Sequence, residues 1–127
     1  MADSLAIMER AYRGAVEKQF LDALYLAVEL HRQLGGLDLL LRGPAVSYAA
    51  TGGEVGAIQI GNRKVDVLTD PRRDLARLQE SGVDVWVEEP DLAPFGIDPG
   101  ALLPGVRTAA SGEMARRWPD YERVFFL

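Results

Sequence analysis

Hydrophobic and polar positions in this chain fall into blocks that switch repeatedly between a strand pattern and a helical one. Residues 4–10, SLAIMER, read as a first strand. Val16, Phe20, Ala23, Leu24, Ala27, His31 and Leu34 then recur at three- and four-residue spacing, which predicts an amphipathic helix over 15–34. Leu21, Tyr25, Leu26 and Val28 widen its apolar stripe past what one sheet face covers, so a second side is expected to meet another subunit. Gly35-Gly36 stops the helix. Residues 37–41 are apolar apart from Asp38, the pattern of a strand buried in a parallel sheet. Pro44 suits the first turn of a short helix over 45–51. Segments 57–60 and 64–68 flank Gly61-Asn62-Arg63 and suggest a hairpin or a strand with an irregular lead-in, in the least regular part of the chain.

Asp70-Pro71 is a helix start, a capping side chain followed by proline at the first helical position. Leu75 and Leu78 carry that helix to Ser81, and Gly82 ends it. Residues 83–87 form a valine- and tryptophan-rich strand that runs into Glu88 and Glu89 and is stopped by Pro90. A short helical piece near 91–95, a single turn from Asp98-Pro99 and a brief strand over 106–109 follow. Ser111 is expected to cap a last helix through Trp118, and 122–127 to form a strand with a buried VFFL end. Strand–helix alternation implies parallel pairing with right-handed crossovers. Residues 1–127 therefore read as one α/β domain, without repeats or a linker.

Composition removes most alternatives. A chain of 127 residues buries roughly two-thirds of its unfolded surface, and 48% apolar with 26% charged residues is a globular balance. No apolar run approaches the ~18 residues that cross a bilayer, and no signal-peptide pattern opens the chain, so no membrane association and a cytoplasmic location are expected. A net charge of −5 argues against nucleic acid as partner. The absence of cysteine excludes disulfides, zinc–thiolate and iron–sulfur sites and any thiol nucleophile. With His31 the only histidine, His-based triads and multi-His metal sites are excluded too. No metal and no cofactor is expected.

The remaining candidate chemistry lies at one rim. In an open α/β sheet, ligands bind beyond the carboxyl ends of the strands, where Glu88 stands as a possible general base or ligand contact. Glu88 and Glu89 point to opposite faces on a strand and could share one substrate only if the strand has ended by Glu88. The competing reading is a solvated strand end with a carboxylate favoured at the start of a short helix. Arg10, Tyr12 and Arg13 follow the first strand, and their guanidiniums and backbone amides could form an anion site on the same rim. Gly43 and Tyr48 would complete it. His31 reads as a packed or dipole-favoured histidine, Trp86 and Trp118 as packing residues, and Tyr121, Phe125 and Phe126 as core and edge aromatics. The glycines of TGGEVG match no phosphate loop.

The ordered series is similar to a known family. GLDLLLRGPAVSYA after the long helix, then LARLQESGVDVWVEEPDLAPFGI, LLPGVRTAAS and a closing DYERVFFL resemble the DsrE/DsrF/DsrH-like family, which includes the Tus sulfur-relay subunits. The resemblance runs over nearly the whole chain except 51–68 and is most specific over 75–106. It implies a doubly wound α/β fold with a five-stranded parallel sheet. It also implies trimers or hexamers, or hetero-oligomers with cysteine-bearing paralogues. Active members carry a persulfidated cysteine at the end of the strand matching 83–87. Counting back from Gly96-Ile97 puts that position on Glu88, and a carboxylate cannot carry a sulfane sulfur. The resemblance thus implies a non-catalytic subunit or accessory in sulfur-relay or sulfur-oxidation chemistry, like the family's subunits that lack the transferring cysteine. A binder of, or enzyme acting on, an anionic or polar ligand through Glu88 is the alternative.

Overall fold

The apolar runs of the sequence become the middle of one parallel sheet. In the computed structural model, residues 2–11, 23–52, 58–65 and 71–127 are described. Strands β1 (Ser4–Met8), β2 (Leu37–Leu41), β5 (Asp84–Glu88), β6 (Arg107–Ala109) and β7 (Arg123–Phe126) form a sheet in the order β6-β5-β2-β1-β7, every neighbouring pair parallel. All residues of β1 and β2 are buried, as expected where both faces of a parallel sheet are covered. A separate antiparallel hairpin pairs β3 (Ile58–Ile60) with β4 (Arg63–Val65). The chain is a five-stranded parallel sheet flanked by helices.

The two faces are covered unequally. Helices α1 (Ala23–Leu34) and α2 (Pro71–Glu80) pack on one face together with a 3-10 turn, Gly43–Ala49. Ala6, Leu39, Leu41, Val85 and Val87 meet Leu24, Ala27, Leu75 and Leu78 there. Leu92, from the connection between β5 and β6, joins the same core. The connections from β1 to β2, β2 to β5 and β5 to β6 thus lie on this helical face. Only the passage from β6 to β7 uses the opposite face, through the five-residue helix α3 (Glu113–Arg117). Met114 of that helix packs with Leu5, Ile7, Leu40, Trp86 and Tyr121.

Several boundaries differ from the sequence reading, each for a local reason. The first strand ends at Met8 rather than at residue 10. The strand expected over 83–87 is shifted by one residue, because Val83 belongs to the end of α2. Its N–H donates to the Leu78 carbonyl (3.0 Å), and that of Gly82, at φ +95°, to Gln79 (3.0 Å), a Schellman closure with Val83 packed in the same core as Leu78. The helix expected over 45–51 is the 3-10 turn starting two residues earlier, and Ala50 instead makes a bridge to Leu102. The piece near 91–95 is two short 3-10 turns, Glu89–Asp91 and Ala93–Phe95. Ser111 is not the last helix's cap. Gly112 holds that place at φ +73°, without a side-chain bond, and the helix gives way to a 3-10 turn, Trp118–Asp120, where Pro119 lacks an N–H.

The VFFL end is only partly buried. Phe126 is 56% exposed, because β7 is an edge strand and none of the described helices covers it at that point. Leu26 of α1 is also exposed, so the stripe wider than one sheet face is found on the described part of the long helix. The expected helical residues 15–22 lie outside the described residues, as do 53–57 and 66–70. His31 is held by its ring: Nε2–H donates to the Ser81 carbonyl at 2.8 Å, joining the ends of α1 and α2.

Candidate functional site at the exit of β5

Glu88 is the last residue of β5, and Glu89 opens the 3-10 turn that follows. The strand has therefore ended at Glu88, which releases Glu89 from strict alternation, and Glu89 is exposed while Glu88 is half-buried. Glu88 pairs in register with Ala109 at the end of β6. From this point the two neighbouring strands part company. The connection after β5 sends Leu92 into the helical face, whereas that after β6 sends Met114 into the opposite one. Divergence of the connections after two adjacent strands, at their carboxyl ends, marks the kind of place where open α/β sheets bind ligands.

Three elements contribute charge around Glu88. Burial raises its pKa, the negative charges of Asp91 and Glu113 raise it further, and the guanidinium of Arg42 acts against them. A carboxyl so placed holds its proton to higher pH than a solvated one. It is able to donate a hydrogen bond, accept one, or pass a proton, but has no chemistry for carrying sulfur.

Arg42 is the principal cation of this rim. It follows β2 directly; its N–H donates to the Met8 carbonyl (3.0 Å) and its guanidinium pairs with Glu9 at 2.8 Å. The same guanidinium lies 5.9 Å from the centre of the Phe126 ring. Gly43 fastens the rim together, donating its N–H to Asp91 Oδ2 at 2.8 Å and so tying the exit of β2 to that of β5. Its φ of +56° is a glycine conformation, and a Cβ there would sit 3.4 Å from the Glu9 carbonyl oxygen.

The residues named from the sequence thus separate. Glu88, Glu89 and Gly43 come together at this rim. Arg10 is exposed just past β1, with β2 between its strand and that of Glu88. Tyr12 and Arg13 lie outside the described residues. Tyr48 is 6% exposed and packs within the core of the helical face. Sequence reasoning passed over Arg42, Asp91 and Glu113. Asking which residue follows each predicted strand would have found Arg42.

A second polar feature lies at the opposite end of the sheet. The Tyr121 hydroxyl donates to Asp38 Oδ2 at 2.7 Å, with both residues buried. Burial raises the pKa of Asp38 and the charge of Asp84 adds to this, while the bonds from Tyr121 and the Ala2 backbone oppose it. Tyr121 is pushed above its ordinary range, first by burial and then by its bond to Asp38. The lone Asp in an apolar run was the available signal, since a buried carboxyl requires a partner. Between the two ends, Trp86 is flanked by the guanidiniums of Arg117 and Arg107, 4.9 and 5.5 Å from its ring. Arg107 approaches Asp84 at 3.5 Å and Arg117 approaches Glu113 at 3.7 Å. Trp86 is accordingly a packing residue.

No protein-family model matches the chain, and no curated protein matches it. Solved structures do. The chain is similar over its full length, and that of its counterpart, to the ychN protein from E. coli, with 22% identity and a TM-score of 0.76. It is also similar to MTH1491 from Methanobacterium thermoautotrophicum, described as a protein of unknown function, with 17% identity, a TM-score of 0.63 and 96% of each chain covered. At these identities the likeness is one of fold. Among the described residues no helix is long and apolar enough to cross a membrane. The chain has a DsrE-like α/β fold.

Proposed function

We propose that this protein is a non-catalytic, DsrE-like subunit that works within an oligomeric assembly, homo-oligomeric or shared with cysteine-bearing paralogues, in sulfur-relay or sulfur-oxidation chemistry. One observation carries this reading. The strand end to which the resemblance assigns the transferring thiol is occupied by Glu88, in a chain with no cysteine at all. Any persulfide handled by the assembly then belongs to a partner, and this subunit contributes surfaces. Leu26, Ile60, Phe95 and Phe126, each about half exposed or more, are apolar surface of the kind an assembly covers. Native mass spectrometry of the tagged protein drawn from its own cells tests the reading. A stoichiometric complex containing a cysteine-bearing paralogue is expected; a homo-oligomer with no partner chain overturns the sulfur-relay role, and a monomer with none overturns the assembly as well.

A second reading is favoured by the setting of Glu88. There the carboxyl, with Arg42 beside it, would bind a small polar or anionic ligand. Saturable thermal stabilisation by a member of a metabolite panel, lost in Glu88→Gln, is its signature. A panel without any such response counts against it.

A further inference from the structure

The hairpin of β3 and β4 stands apart from the five-stranded sheet. Among the described residues its strands pair with each other and not with that sheet. The side chains of Gln59, Ile60, Asn62, Arg63 and Lys64 are all exposed, and Ile60 is 56% exposed. The turn is well built: Gly61, at φ +60°, takes the first central position of a two-residue loop, as a type II′ turn requires. Yet an isolated two-stranded hairpin is marginal in water. A well-formed hairpin with an apolar residue and two adjacent cations at its tip is built to be covered.

We infer that this hairpin is an arm that docks on the β5 exit of a second copy of the chain. The two surfaces match in charge and in apolarity. Arg63 and Lys64 make no ion pair among the described residues, and neither does Glu89. Glu89 is exposed beside the half-buried Glu88 and Asp91, so the exit of β5 presents negative charge in a chain whose net charge is −5. Phe95, 47% exposed and six residues beyond Glu89, gives that surface an apolar contact for Ile60. An arm on one copy meeting a different surface on the next is a heterologous contact, which closes into a ring when the rotation permits. Docked this way, Arg63, which shares its face of the hairpin with Ile60, would add positive charge beside the carboxyls around Glu88.

This inference rests on the assembly reading, and the experiment separates the two. Sedimentation velocity is run on the purified protein, on Arg63→Glu, on Glu89→Arg and on the double variant, with circular dichroism confirming that each is folded. Each single reversal is expected to weaken self-association by about tenfold or more, since like charges then face each other, and the double variant to restore it. High salt should weaken the wild-type assembly as well. An oligomer indifferent to both single reversals overturns the arm and leaves the assembly reading standing. Loss without recovery in the double variant also overturns the arm. A monomeric wild-type protein overturns the arm and, if it has no partner chain in the cell, the assembly reading with it.

Discussion

The two faces of the sheet divide the work of the molecule. On the helical face β1, β2 and β5 present alanine, leucine, valine and methionine, three connections cover them, and the strand residues in that core are 3% exposed or less. On the other face the same strands present buried Leu5, Ile7, Leu40 and Trp86 together with Asp38, Asp84 and Glu88, and β6 adds Arg107, under one short helix among the described residues. β5 thus offers Val85 and Val87 to one side and Asp84, Trp86 and Glu88 to the other, because side chains alternate. Thick covering goes with an almost wholly apolar strand face. Thin covering leaves room for charge, and the groups able to do chemistry or recognition gather there.

The contrast is broken most directly by truncating one residue on each face. Leu39→Ala, at the centre of the helical-face core, is expected to lower stability by about 2–5 kcal/mol in urea unfolding, through lost burial and a residual cavity. Tyr121→Phe on the other face removes no packing but leaves the Asp38 carboxyl without its hydroxyl partner, for an expected loss of about 1–3 kcal/mol. Equal losses would mean that the thin face stabilises the fold as strongly as the thick one. The tyrosine effect should also depend on pH. Its bond is stronger to an ionised acceptor than to a neutral one, so the loss is greatest above the raised pKa of Asp38 and shrinks as pH falls through it.

Glu88→Gln gives the smallest effect and the opposite sign. The folded pKa of Glu88 lies above the unfolded value, so the folded state binds the proton more tightly. Wild-type stability therefore falls as pH rises from the unfolded pKa through the folded one, and the loss persists above that window. Gln removes it. A gain of about 0.5 kcal/mol or less is expected at neutral pH, because the group is part-solvated, with no gain below the window. Urea midpoints at pH 7 and at pH 3.5 check this; a variant less stable at neutral pH would show that ionised Glu88 is held by favourable partners.

What was legible in the sequence follows the same division. The helical face could be read almost residue by residue, since its signal is periodicity and every crossover repeats it: Leu24, Ala27, Leu75, Leu78 and the strand valines were all visible as a pattern. The hairpin at Gly61-Asn62 was only one of two readings its turn chemistry left open, the other being a strand with an irregular lead-in. The position of Glu88 could be read from the stop at Pro90. Its surroundings could not, because Arg42, Asp91 and Glu113 are brought to it by strand order, and strand order is not a local property. Tyr121 and Asp38 are 83 residues apart, and no spacing rule links them. Phe126 was misread as buried because an apolar edge residue looks like a core residue until the far side of its strand is known to be open.

The place of β7 also determines how the chain can be made. It pairs with β1, the first strand of this sheet in chain order, although every other strand of the sheet precedes it. Glu122 donates its N–H to the Asp3 carbonyl at 2.8 Å and Leu127 donates to that of Ile7 at 2.9 Å, so β7 is bound along its whole length. During translation β1, β2, β5 and β6 can assemble in order, while β1 waits as an open edge, the element most prone to pair with another nascent chain. Closure of the sheet and arrival of the Tyr121 hydroxyl at Asp38 then fall together, once β7 is available to pair.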